Sequence, residues 1–303
     1  MALSHPRFGL PRLGVSPSFG RKILQATGRL FEVFRVRQIP VTINDVRLTI
    51  DPRDYWSLRA YLFSPTYDLK EIAAVEHFIP REYEFIDVGA NFGAWAFTLA
   101  RHFSRVIAVE PDIRCFDCLL LTASRGHLQN VSVIHAALSD RDGDGRLFPL
   151  RSFLGDGRIY HPGDEGRMDG RSIQLISFDT LVERYHIDAK RLFIKLDTQG
   201  AEPWIIRGME ETLGRADDVI LWSEVTDFTL RSAGSSVDQY LGLLKDLGFA
   251  PVDLFDGLRE TSWDITRDSR ATMKDYCFRR LRSDASRFEM GERSHESRYV
   301  SPR

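Results

Sequence analysis

Short apolar runs recur through the middle of the chain, each stopping at a small or acidic residue: FIDV at 85–88, VIAV at 106–109, VSVIHAAL at 131–138, LFIKL at 192–196 and VILWSE at 219–224. Their length and β-branched content predict strands buried on both faces, as in a parallel sheet. Between them, apolar residues at helical spacing predict helices over 69–79, 94–102, 112–124, 178–185 and 237–248, with Ser177 as an N-cap. Pro203 suits the first turn of a helix opened by Ala201 and Glu202. Alternation at 41–50 about Asn44-Asp45 predicts a hairpin ahead of the sheet. Further strands are expected at 146–149, 173–176 and 250–255, and a terminal hairpin pairing 261–265 with 273–281. The alternation of strand and helix is that of an α/β fold.

The most informative stretch is 84–110, strand, glycine turn, helix, strand, with Glu110 at the tip of the second strand. In open α/β sheets a ligand sits beyond the carboxyl ends of the strands, over such a turn and helix N-terminus. Glu110 follows Asp87 by 23 residues and is placed to accept both hydroxyl protons of a ribose. A dinucleotide fold wants G-x-G-x-x-G, whose close glycines admit a pyrophosphate. Here Gly89-Ala90-Asn91-Phe92-Gly93 has no third glycine opening the helix. A ribose-bearing cofactor without phosphate fits better, and S-adenosyl-L-methionine is the common one. Asp87 would then hold water or the methionine ammonium, and the turn backbone would border the methionine part. The small tip Ala136-Ala137 leaves room for the adenine near Ala137. A glycine turn that binds nothing is the alternative.

Charge and length narrow the picture. With 303 residues and a formal charge of −2, the chain reads as one large domain with extensions, and nothing in its overall balance asks for nucleic acid or a membrane. No apolar run is long enough to cross a bilayer. Three cysteines, an odd number, with no long apolar leader, suit a reduced, cytoplasmic setting. The expected units are a basic extension over 1–38, a hairpin and helix cap over 39–82, the main domain over 83–281 and a disordered tail over 282–303. The basic extension carries seven cations against Glu32, and apolar residues between 21 and 36 predict an amphipathic helix. It reads either as a helix packed on the domain or as an arm for peripheral membrane or partner contact.

Three acids, Asp197, Glu202 and Glu224, are expected at the same rim as Gly89 and Glu110. They could deprotonate an acceptor hydroxyl, hold the methionine ammonium or share a divalent cation; helix capping is the alternative. The glycine-rich segment 152–171 reads as a substrate lid or a surface loop, with His161 a second candidate base. Cys115 and Cys118 form a C-x-x-C without the further ligands zinc needs, so they read as packing residues and no metal site is assigned. His135 reads as a packed strand residue.

FIDVGANFG, VIAVEP, AALSD, LISFDTL, LFIKLDTQGAE and VILWSE, in this order, resemble the FkbM family of S-adenosylmethionine-dependent methyltransferases over roughly 41–255. The resemblance implies a Rossmann-like class I methyltransferase fold, a mostly parallel seven-stranded sheet with helices on both faces and an N-terminal hairpin and helix cap. It implies cofactor contacts at Asp87, Gly89, Asn91, Gly93 and Glu110, with Asp197 and Glu202 as the acidic motif beside the acceptor. It also implies O-methylation of a hydroxylated small molecule, a sugar or a secondary metabolite. N- or C-methylation, or a module that binds the cofactor without turnover, are the alternatives. Thr198-Gln199 stands where many relatives carry valine-glutamate, which weakens any case for a bound metal.

Overall fold

The computed structural model describes residues 17–63, 67–150, 153–160, 170–265 and 275–282. Helix α1 (Pro17–Val33) precedes a hairpin of β1 (Ile39–Ile43) and β2 (Val46–Ile50). Asn44 and Asp45 both take positive φ in its two-residue turn, as the sequence predicts. Two helices, α2 (Tyr55–Phe63) and α3 (Leu69–Phe78), lead into β3 (Glu84–Val88), α4 (Ala94–Leu99), β4 (Val106–Val109), α5 (Ile113–Gly126) and β5 (Val131–Ile134). The chain then builds β6 (Ala137–Ser139), β7 (Gly143–Leu150), β8 (Phe153–Tyr160) and β9 (Arg171–Ser177) before α6 (Phe178–Arg184) and β10 (Arg191–Leu196). It closes with α7 (Glu202–Arg207), α8 (Glu210–Arg215), β11 (Asp218–Glu224), α9 (Asp227–Ser232), α10 (Val237–Asp246), β12 (Ala250–Asp253), β13 (Arg259–Glu260) and β14 (Asp275–Leu281).

The main sheet runs β13-β12-β14-β11-β10-β3-β4-β5. Its five strands from β11 to β5 are parallel, and β14, β12 and β13 add an antiparallel flank. The fold is the expected α/β one, with eight strands in place of seven because the two-residue β13 joins the edge. Strands β4 and β5 extend the sheet to one side of β3 and β10 and β11 to the other, so the order reverses between β3 and β10. That is where ligands bind in such sheets.

Period-two alternation sends successive strand residues to two cores. Ile86, Val88, Ile194, Leu196 and Leu221 pack with Leu181, Ile205 and Tyr240 on one face. Phe85, Ala108, Phe193, Ile220 and Trp222 pack with Val75, Trp95 and the hairpin on the other. Phe85 stacks on Phe193 with ring centroids 5.1 Å apart, and Phe103 covers both. Each such ring contributes about 1.5–3 kcal/mol through burial.

Three local expectations change. The run 131–138 is two strands: β5 belongs to the main sheet, and after His135-Ala136 the chain leaves it to form β6 in a separate four-stranded sheet, β6-β9-β7-β8. The segment 152–171 is not a loop throughout, since β8 pairs antiparallel with β7. Nor do 261–265 form a strand: β13 pairs with β12, and β14 is inserted between β12 and β11.

Candidate active site

The turn after β3 is shaped by three alternating positive φ values, Gly89 at 77°, Asn91 at 51° and Gly93 at 82°. A Cβ on Gly89 would overlap the backbone carbonyl of Asp197, so the residue is glycine because the tip of β10 passes against it. At Gly93 a Cβ would run into Phe97 and Leu119, so this glycine faces the core and starts α4. Ala90 is buried beside it.

Glu110, at the tip of β4, is 6% exposed. Its Oε2 accepts from the Asn91 N–H and its Oε1 from the Asp112 N–H, each at 2.8 Å. Each oxygen thus uses one of its two acceptor positions, and Glu110 is among the residues lining the adjoining cleft. Burial pushes the carboxyl up to about 8, against the pull of those two N–H groups. Asp112 caps α5 through Oδ1, accepting from the Arg114 N–H at 2.8 Å. Its buried Oδ2 finds no hydrogen-bond donor among the described residues; Arg171 stands 3.7 Å away.

These groups line a cleft beyond the strand tips. Gly89, Asn91 and Glu110 line it together with Ala136 and with Ala137, Leu147 and Ile159, which cluster in the small sheet. Asp197, Thr198 and Gln199 border it on the far side of Gly89.

Asp87, Lys195 and Asp197 share one face of the sheet by the period-two rule, with Lys195 in register beside Asp87. Asp87 lies beneath the turn and not among the residues lining the cleft; its Oδ2 accepts from the Ala96 N–H at 3.1 Å. The Lys195 ammonium is 3.2 Å from Asp197 Oδ2 and 3.8 Å from Asp87 Oδ1, and lies 5.8 Å from the Trp95 ring centroid. Burial alone would lower its pKa, but Asp197, Asp87 and Asp275 outweigh burial and raise it.

Of the three rim acids, only Asp197 reaches the cleft, with its side chain 40% exposed. Glu202 is 1% exposed and closes the turn after β10, accepting from the Thr198 N–H, the Thr198 hydroxyl and the Gly200 N–H, each at 2.9 Å. Burial pushes its carboxyl up to about 7. Glu224 is 3% exposed and accepts from Gln199 Nε2 at 3.0 Å; burial, then Asp197 and Glu202, raise its pKa. Neither can touch an acceptor in the cleft. Among the described residues no group of histidine, cysteine and carboxylate side chains is spaced to hold a metal ion.

His161 lies outside the described residues. His135 is exposed and lies just past β5 instead of within a strand, its ring stacked on Phe116 at 4.7 Å. Cys115 and Cys118 are buried free thiols, pushed upward by burial, as packing residues are. Sequence reasoning passed over Asp112, Lys195 and the β7–β8 lining. A lysine inside an apolar strand is a signal of a buried acid partner; nothing in the glycine-rich β8 marks it as part of a cleft.

Residues 87–251 match the model of the methyltransferase FkbM domain. Nothing among curated proteins matches the chain. Solved structures similar to it include Trm5b from Pyrococcus abyssi, 11% identical, with 80% of this chain and 55% of that one covered and a TM-score of 0.42. TYW2 from M. jannaschii in complex with AdoMet is 11% identical, with 80% and 84% covered and a TM-score of 0.39. Methyltransferase FkbM from Methylobacillus flagellatus KT is 15% identical, with 85% and 60% covered and a TM-score of 0.41. The chain thus spans just over half the length of the first of these.

Proposed function

The chain belongs to the FkbM family of methyltransferases, and on that premise we propose that it methylates a hydroxyl of a small acceptor, a sugar or a secondary metabolite, using S-adenosylmethionine. The cleft residues suit that cofactor. Glu110 offers two carboxylate oxygens with acceptor positions open, which matches the paired hydroxyls of a ribose. Leu147, Ile159 and Ala137 offer an apolar slot for a flat ring, and the buried Asp112 Oδ2, which accepts no hydrogen bond among the described residues, belongs to the same cleft. When bound, the cofactor supplies a methyl group already activated by its positive sulfur.

What remains for the protein is positioning. The observation that carries the reading is Asp197, the one rim acid that is accessible, across Gly89 from Glu110. Lys195 holds one of its oxygens, and Gln199 donates to the other at 3.3 Å. Open acceptor positions on that carboxylate can orient an acceptor O–H and take its proton as the oxygen is methylated.

The test is a screen of hydroxylated metabolites, with amines as comparison, using labelled methyl donor and identifying the methylated atom in the product. Asp197→Asn should keep cofactor affinity and lose about 10²–10⁴ in rate. Methyl transfer to nitrogen or carbon only, or an unchanged rate in Asp197→Asn, overturns the reading.

A further inference from the structure

Helix α1 has two different apolar sides. Leu24 is buried and Phe31, two turns on, is half-buried beside it, where the helix packs on α2. The opposite side carries Ala26, Leu30 and Val33 at helical spacing, and Phe34 follows at the helix end. Leu30 is 58% exposed, Val33 74% and Phe34 73%. Cations surround this apolar strip. Lys22 and Arg29 lie on the same stripe as Ala26 and Val33, and Arg35 and Arg37 follow Phe34; all four are exposed, against the single acid Glu32.

The charges decide what can cover it. Residues 1–16 contain Arg7 and Arg12 and no acid, so they do not complement the rim. A second copy of the same face would bring cation against cation. Nucleic acid would satisfy the cations but leave Leu30 and Val33 nothing apolar to enter. A phospholipid surface with anionic headgroups meets both demands, with cations at headgroup level and Leu30, Val33 and Phe34 beneath them. At 17 residues with a buried inner side, α1 would lie on such a surface. We propose that the outer face of α1 docks the protein on an anionic phospholipid surface.

The test is co-sedimentation of the full chain with vesicles of phosphatidylcholine alone or mixed with phosphatidylglycerol. The expected result is binding to the mixed vesicles only, weakened by added salt. Val33→Asp/Phe34→Asp should weaken it by at least about tenfold, and Arg35→Gln/Arg37→Gln by roughly fivefold per cation. Both variants should keep wild-type affinity for S-adenosylmethionine, which reports an intact fold. Wild-type protein that stays in solution with the mixed vesicles would overturn the proposal. So would equal binding by Val33→Asp/Phe34→Asp, or a dimer that this variant abolishes while no lipid is bound.

Discussion

Lys195 and Asp197, two positions apart at the end of β10, meet side chain to side chain with Nζ 3.2 Å from Oδ2. The same ammonium faces Asp87, 1% exposed, at 3.8 Å. One buried cation therefore joins the turn that shapes the cleft to the acid that borders it.

Removing that cation leaves Asp87 as a buried carboxylate without a counter-charge. Lys195→Met should destabilise the protein by about 3–5 kcal/mol, measured by urea denaturation. A change within about 1 kcal/mol would show that the pair contributes little.

Gly89 and Gly214 form a contrast. Gly89 has φ of 77° and no room for a Cβ, whereas Gly214, in α8, has open space around it. Gly89→Ala should cost more than about 2 kcal/mol, and Gly214→Ala should stabilise by up to about 1 kcal/mol. Equal effects in the two would contradict the close approach of β3 and β10.

Stability should fall with rising pH in the ligand-free protein. Burial raises Glu110 to about 8, Glu202 to about 7 and Asp68 to about 6. Each binds its proton more tightly folded than unfolded, so its contribution is complete below the ordinary carboxyl range and is lost as pH climbs through the folded value. The window runs from about 4.5, the ordinary glutamate value, to about 8. Thermal melts across it should show a falling midpoint, flattened in the upper part by Glu110→Gln. A rising midpoint would reverse the assignment.

The sequence made the centre of the fold readable and left its rim obscure. Strands β3, β4, β10 and β11 are largely apolar runs ended by glycine or acid, and buried on both faces they have few alternatives. The division of 131–138 between two sheets depends on where His135-Ala136 turns out of the main sheet, a tertiary event without a local signature. Strand β8, rich in glycine, takes its conformation from pairing with β7. At the site, residue type alone did not separate Asp197 from Glu202. Both are acids in one motif, yet Glu202 turns back to accept three donors from its own loop while Asp197 stays accessible.

The central claim is that Glu110 grips a ribose in the cleft, and equilibrium titration with S-adenosylmethionine tests it without knowledge of the acceptor. Wild-type protein should bind, and Glu110→Ala, with its fold checked by circular dichroism, should bind at least about tenfold more weakly, as expected for the loss of two hydrogen bonds. Undiminished affinity in Glu110→Ala, or no binding by the wild type, would contradict the account.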